Sequence, residues 1–270
     1  MAPRSATINV MGNAALKAAR GLVRDFGEVE QLQVSVKGPG EFVSTADLKA
    51  EKVLRAELGK ARPGYGFLME ESGAQPGRDA HHRWIVDPLD GTTNFLHGIP
   101  HFCISIALER DGEILAGVIY EPVRDEMFWA EKGAGAYVND RRLRVSARQQ
   151  LAESVIGTGI PFAGRGDHPR YLATLAAVMA ATSGVRRFGA AALDLAYVAA
   201  GRYDGFWEFG LSPWDIAAGL LILREAGGYV TDRAGGHDMI ATGDIIAAND
   251  RLHRPLMQLI NRALEAPAPN

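Results

Sequence analysis

The segment Trp84-Ile85-Val86-Asp87-Pro88-Leu89-Asp90-Gly91-Thr92-Thr93-Asn94-Phe95 begins as an apolar strand and ends in two carboxylates three residues apart. Pro88 disfavours the helical region for Asp87, so the strand stays extended up to that residue. The chain then turns through Asp90-Gly91 and opens a short helix at Thr92-Thr93-Asn94. Hard oxygen ligands for a divalent cation thereby stand beside the backbone N–H groups of a helix start, which suit a phosphate. A cation and a phosphate side by side are the ground plan of a metal-dependent phosphatase. Taken alone, Asp-Gly is an ordinary turn and an Asp before Thr-Thr-Asn an ordinary helix cap. The metal reading gains weight because carboxylates recur at similar strand-to-helix junctions.

Glu70 and Glu71 follow the strand-like run Gly66-Phe67-Leu68-Met69. Neighbouring strand side chains face opposite ways, so only one of the pair can join a site. Asp47 closes Ser44-Thr45-Ala46-Asp47, and Asp215 closes Ser212-Pro213-Trp214-Asp215. Both tetrads also read as capping boxes, with Pro213 placed for a first helical position. The two readings are compatible, because a helix N-terminus fixes where a carboxylate points. Glu208 interrupts the apolar run Phe206-Trp207-Glu208-Phe209, and by alternation alone it could equally face solvent from an edge strand. The glycine-rich pieces Gly157-Thr158-Gly159 and Gly133-Ala134-Gly135 complete neither a dinucleotide fingerprint nor a P-loop. His81-His82 lie in a polar loop and read as solvated; His97 and His101 flank the main motif without a legible role.

The 270 residues suffice for one large domain or two lobes, and 47% hydrophobic with 23% charged content is ordinary for a globular protein. A net charge of −3 gives no basic surplus, so nucleic acid is not expected as the main partner. The lone Cys103 excludes an internal disulfide, fits a reducing compartment, and reads as a buried structural thiol in an apolar strand. No signal-peptide pattern opens the chain and no run approaches the roughly 18 apolar residues of a membrane span, so a cytoplasmic location is expected.

The periodicity predicts a helix from about Thr7 to Phe26 and another after Ser44-Thr45, then a meander of strands from Phe102 to Val138 with a hairpin at Asp111-Gly112. After about residue 150, short strands alternate with helices near 170–182, 192–201, 214–226 and 252–264, the pattern of a more parallel α/β layer. The chain thus divides at about residue 150. Residues 1–150 form an N-terminal lobe with most of the candidate ligands. Residues 151–270 form an α/β lobe with Asp215 and Glu208, and the two lobes make one compact unit. Ala266-Pro267-Ala268-Pro269 reads as a frayed tail.

These residues resemble the inositol monophosphatase family of the lithium-sensitive, magnesium-dependent phosphatases. The likeness rests on Glu70-Glu71-Ser72, on Trp84 through Phe95, and on Pro213-Trp214-Asp215-Ile216-Ala217-Ala218-Gly219 with Glu225-Ala226-Gly227-Gly228 behind it; it covers about residues 8 to 262. The resemblance implies a layered αβαβα sandwich of the α/β (α+β) class, a homodimer, and two or three Mg2+ per site. It implies that Glu70, Asp87 and the carbonyl of Leu89 hold one ion, and that Asp87, Asp90 and Asp215 hold a second. Asp47 and Thr92, with Glu70, would orient the attacking water. Gly91 and Thr92 N–H groups would grip the phosphate. Glu208, Asp215 and the loop Gly189-Ala190-Ala191 would meet the substrate, inositol monophosphate. Sister activities on fructose 1,6-bisphosphate, histidinol phosphate, NADP or nucleotide 3′-phosphate, and a regulatory role on RNA polymerase or ribosomal RNA, are the alternatives. One departure stands out: Ala190 occupies a position where many members carry a hydroxyl.

Overall fold

A computed structural model describes residues 4–28, 34–38, 41–161 and 166–265. The 266–269 tail lies outside the described residues. The chain begins with α1 (Ala6–Phe26), β1 (Val34–Gly38), β2 (Glu41–Ser44), α2 (Thr45–Ala61), β3 (Gly66–Met69), β4 (Gly73–Gln75), β5 (His82–Asp90) and α3 (Thr92–Leu96). β6 (Cys103–Arg110), β7 (Glu113–Glu121), β8 (Glu126–Glu131), β9 (Gly135–Val138) and β10 (Arg141–Arg142) complete the meander. The rest comprises β11 (Val155–Thr158), α4 (His168–Ala181), β12 (Gly184–Arg186), α5 (Ala191–Ala199), β13 (Gly205–Glu208), α6 (Pro213–Glu225), β14 (Tyr229–Thr231), α7 (Met239–Thr242), β15 (Ile245–Ala248) and α8 (His253–Glu265).

Five layers result. Helices α1 and α2 bury Ile8, Met11, Leu22, Leu54 and Leu58 against Trp84, Val86, Ile104, Ile106 and Val118 of an eight-stranded sheet, ordered β10-β9-β8-β7-β6-β5-β3-β4. The next residue along β5, Ile85, belongs to the core on the sheet's other face, as the two-residue strand period requires. There it meets α5 and α6, both apolar nearly all round, as suits helices enclosed on two sides. A five-stranded sheet, β12-β11-β13-β15-β14, follows, and α4 and α8 cover its far face around Tyr171, Val178, Trp207, Leu256 and Ile260. This is the αβαβα sandwich.

Three local features differ from the sequence expectation. The second sheet is mixed: β12, β11 and β13 run parallel, but β13, β15 and β14 pair antiparallel. The first sheet, otherwise a meander, holds one parallel pair, β3 with β5. Most consequential is the course of β5, which does not stop at Asp87 but continues through Pro88 to Asp90. Asp87 pairs with Ser105 and Asp90 with Cys103, so β5 carries one extra residue. This is a bulge, a place where a strand tolerates Pro. Residues three apart on a regular strand face opposite ways; the extra residue lets Asp87 and Asp90 turn to the same side. The hairpin turns on Asp111 (φ 51°) and Gly112 (φ 83°), the left-handed pair of a two-residue type I′ turn.

Candidate active site

The C-terminal end of β5 opens onto a cavity of about 790 Å3. Glu70, Asp90, Gly91, Thr92, Gly189, Ala190, Ala191, Glu208 and Asp215 all line it. Gly91 has φ 93°, and a Cβ there would come within 3.0 Å of the His101 carbonyl, so the turn that starts α3 requires glycine. Buried Asp87 stands behind this wall, within the electrostatic reach of Glu70, Asp90 and Asp215.

Each aspartate is fixed through backbone N–H groups. Asp87 Oδ1 accepts from Leu89 N (2.9 Å) and Asp215 Oδ2 from Ser212 N (2.7 Å). Asp90 Oδ2 accepts from Ala192 N (2.8 Å), while the Cys103 thiol donates to the same oxygen at 3.7 Å. Ala190 is the N-cap of α5 and offers no side-chain cap; Asp90, 102 residues before Ala192, accepts the N–H of Ala192 instead. Burial pushes the Cys103 thiol up, which keeps it a proton donor here rather than a thiolate.

Asp47 is fully buried. Its Oδ2 accepts from Ser44 N (2.9 Å) and Ser44 Oγ (2.6 Å), the capping box read from sequence, and its Oδ1 accepts from Thr92 Oγ1 (3.0 Å). Thr92 Oγ1 also lies 3.0 Å from the Leu89 carbonyl. The acid of this helix cap is thus also the partner of a cavity-lining hydroxyl.

The electrostatics show why these acids are unusual. Burial lifts Asp87 well above the usual carboxylate range, and the charges of Glu70, Asp90 and Asp215 lift it further. Asp90 rises to about 7 through burial, opposed by the Ala192 N–H and assisted by Glu70. Burial first, then Asp90, raises Asp215. Burial also raises Asp47 against the pull of Ser44 and Thr92. Among the described residues, no three His, Cys, Asp or Glu side chains form a group that would hold an ion as they stand. The donor set nonetheless fits a hard divalent cation: all oxygen, each aspartate anchored at a backbone N–H, and mutually repelling until a positive charge joins them.

On the opposite wall, Glu208 ends β13, which lies inside the five-stranded sheet and not at its edge. Its carboxylate packs into the space that a side chain at Gly159 would fill. Burial and the charge of Asp90 push it up to about 8, and Arg187 opposes them. Arg170, Arg187 and Tyr171 also line the cavity and were not singled out by sequence; only the position of Arg187, two residues before Gly189, hinted at it. Glu71 stays off the wall, its N–H donating to Glu51 Oε2 at 3.0 Å. His81 and His82 are not merely solvated: they pair with Asp111 (2.7 Å) and Asp79 (2.8 Å). Buried His101 is held neutral, its pKa lowered to about 4 by burial and by Arg124.

Comparison with known proteins gives a consistent result. A model of the inositol monophosphatase family matches residues 4–266. An inositol-1-monophosphatase of Mesorhizobium japonicum is 64% identical over 263 residues, covering 97% of this chain and 99% of that protein. The crystal structure of the extragenic suppressor protein suhB from Bartonella henselae superposes with a TM-score of 0.94 at 60% identity, over 96% of this chain and 99% of the other. A protein of Pseudomonas aeruginosa named Nus factor SuhB is 45% identical over 258 residues, covering 93% of this chain and 95% of its own.

Proposed function

The chain belongs to the inositol monophosphatase family, and from that premise we propose that it is a magnesium-dependent phosphoric monoester hydrolase that splits inositol monophosphate into inositol and phosphate. The observation that carries this reading is the convergence of Glu70 after β3, Asp87 and Asp90 on β5, and Asp215 on α6, beside the Asp47–Thr92 pair, with the charges of Glu70, Asp90 and Asp215 all bearing on Asp87. Glu70, Asp87 and the Leu89 carbonyl would hold one Mg2+, and Asp87, Asp90 and Asp215 a second, within a complement of two or three. When bound, the metal supplies Lewis acidity at the phosphate and makes water acidic enough to attack near neutral pH.

The protein's own groups do the rest. Backbone N–H groups of Gly91 and Thr92, left without helical partners at the start of α3, hold the phosphate. Thr92 Oγ1 has a single proton; turned to Asp47 Oδ1, it leaves the oxygen's lone pairs to accept from the attacking water. That water can then pass its proton to Thr92 Oγ1 as the hydroxyl proton moves to Asp47, whose raised pKa suits it as acceptor. Glu70 assists through water. Glu208, with Asp215 and the Gly189-Ala190-Ala191 loop, binds the alcohol. We propose that the protein works as a homodimer in the cytoplasm, with residues 1–150 and 151–270 as the two lobes of one catalytic unit; among the described residues no helix is long and apolar enough to cross a membrane.

A panel of phosphomonoesters assayed with magnesium and compared by kcat/KM tests the reading. Inositol monophosphate should rank first; a preference for fructose 1,6-bisphosphate, histidinol phosphate, NADP or a nucleotide 3′-phosphate would reassign the substrate. Relatives named Nus factor fit a second reading only in part, a regulatory role that we place on RNA polymerase or ribosomal RNA. Inactivity across the whole panel would point to it. Two further outcomes are expected. Glu208→Ala should reduce kcat/KM for inositol phosphate at least about tenfold more than for a small aryl phosphate, because its unpaired hydroxyls penalise only the polyol. Equal losses would make Glu208 structural or catalytic. Lithium, a small hard cation suited to the same oxygens, should inhibit in an uncompetitive or mixed pattern against substrate. Purely competitive inhibition, or none, would contradict this account of the site.

A further inference from the structure

Asn94 is buried at the third position of α3 and does not line the cavity. Its side-chain nitrogen donates to two carbonyls, His101 O at 2.8 Å and Phe188 O at 2.6 Å. The first bond closes the loop that follows α3. The second spans 94 residues and reaches the residue directly before Gly189-Ala190-Ala191, the stretch that lines the alcohol side of the cavity. Gly189 is in the left-handed region (φ 81°), so the carbonyl just before it bears on where the loop turns.

We infer that Asn94 is a positioning residue that fixes the distance between the phosphate grip at Gly91-Thr92 and the alcohol-binding loop at residues 189–191. The inference rests on the proposed reading of the site as a phosphomonoesterase with an alcohol pocket. The chemistry selects this residue type. A primary amide offers two N–H donors in one plane, enough for both carbonyls at once. Aspartate at the same size offers none and would set a charge against two carbonyl oxygens. Asp90 makes another tie to this region, through Ala192 N, but it is also a candidate ligand, and the His101 ring packs on Phe188 without a hydrogen bond. Asn94 has no contact with the cavity, so its effect must pass through the geometry it holds. A substrate that touches both walls feels the spacing; one that touches only the phosphate grip does not.

Asn94→Ala and Asn94→Asp, with Asn94→Ser as the milder change should either fail to fold, test this. Each is assayed against the polyol phosphate that the wild type turns over fastest and against a small aryl phosphate, with inorganic phosphate as product inhibitor. Choosing the polyol from the wild-type panel keeps the test intact if inositol phosphate is not the preferred substrate. The expected result is a loss in kcat/KM of at least about tenfold on the polyol phosphate, since small misplacements of a bound substrate are costly, with aryl phosphate turnover and phosphate inhibition changed by no more than about threefold. General destabilisation would lower both substrates alike. Equal losses on both, a parallel weakening of phosphate inhibition, or wild-type kinetics on the polyol would each overturn the assignment.

Discussion

Asp87→Asn is expected to lose at least about 10³-fold in kcat with magnesium present, the scale of removing a major electrostatic contributor. Asp87 is the one side chain assigned to both cations, and asparagine keeps its size while removing its charge. The local fold should survive, because an amide oxygen can accept from Leu89 N as the carboxylate Oδ1 does. A second readout separates metal binding from catalysis. In the wild type a bound ion stabilises the folded protein by mass action, so Tm should rise with magnesium concentration. In Asp87→Asn that rise should largely vanish. The metal-free variant should melt no lower than the metal-free wild type, since it removes one of several mutually repelling buried charges. Near-normal turnover, or an undiminished magnesium-dependent rise in Tm, would end the assignment of Asp87 as the shared ligand. The combination expected, a stabler or equal fold with almost no activity, is the signature of a residue kept for function against its local cost.

What could be read from the sequence had local causes. Chain-local hydrogen bonds between Ser44 and Asp47 and between Ser212 and Asp215 follow from residue types three apart, and both form. Helices α1 and α2 follow from spacing, and the Asp111-Gly112 turn from the tolerance of those residues for positive φ. What escaped was set by partners distant in the chain. The bulge in β5 is a matter of register against β6, and Pro88, which fits a strand end as well as a bulge, does not decide it alone. Whether Glu208 faced water or the interior depended on β13 having neighbours on both sides, β11 and β15. Asp90 accepts the N–H of Ala192, and the amide of Asn94 finds Phe188; neither pairing has a local signature. Arg187 was not singled out by sequence; the fold sets it beside Gly189, where its charge opposes the rise of Glu208. Local chemistry can therefore be read from types and spacing, whereas the second partner of each dual-purpose residue comes only with the tertiary contacts.

Asp47 is the clearest dual-purpose residue, and Asp47→Asn is expected to lower kcat by about 10²- to 10³-fold, the range of a positioned general base. The two oxygens of Asp47 do different work. Oδ2 completes the capping box with Ser44, and Oδ1 receives the Thr92 hydroxyl proton. Asparagine can keep the first task by turning its oxygen to Ser44. Its nitrogen then faces Thr92 Oγ1 and donates where the carboxylate accepted, which reverses the hydrogen bond. The Thr92 proton must then point elsewhere, with Leu89 O at 3.0 Å as the available acceptor, and a lone pair needed for the attacking water is taken. Stability should fall little, because the cap survives. Ser44→Ala supplies the opposite case. It removes the Ser44 Oγ that accepts from Ala46 N and donates to Asp47 Oδ2, which should cost about 1 kcal/mol of stability as for other N-caps. It leaves the Asp47–Thr92 bond in place, so kcat should stay within about threefold of wild type, below the effect of losing a base. Measuring kcat and Tm for both variants separates the roles. If Asp47→Asn turned over normally, or if Ser44→Ala lost as much activity as Asp47→Asn, the acid would be a helix cap and nothing more.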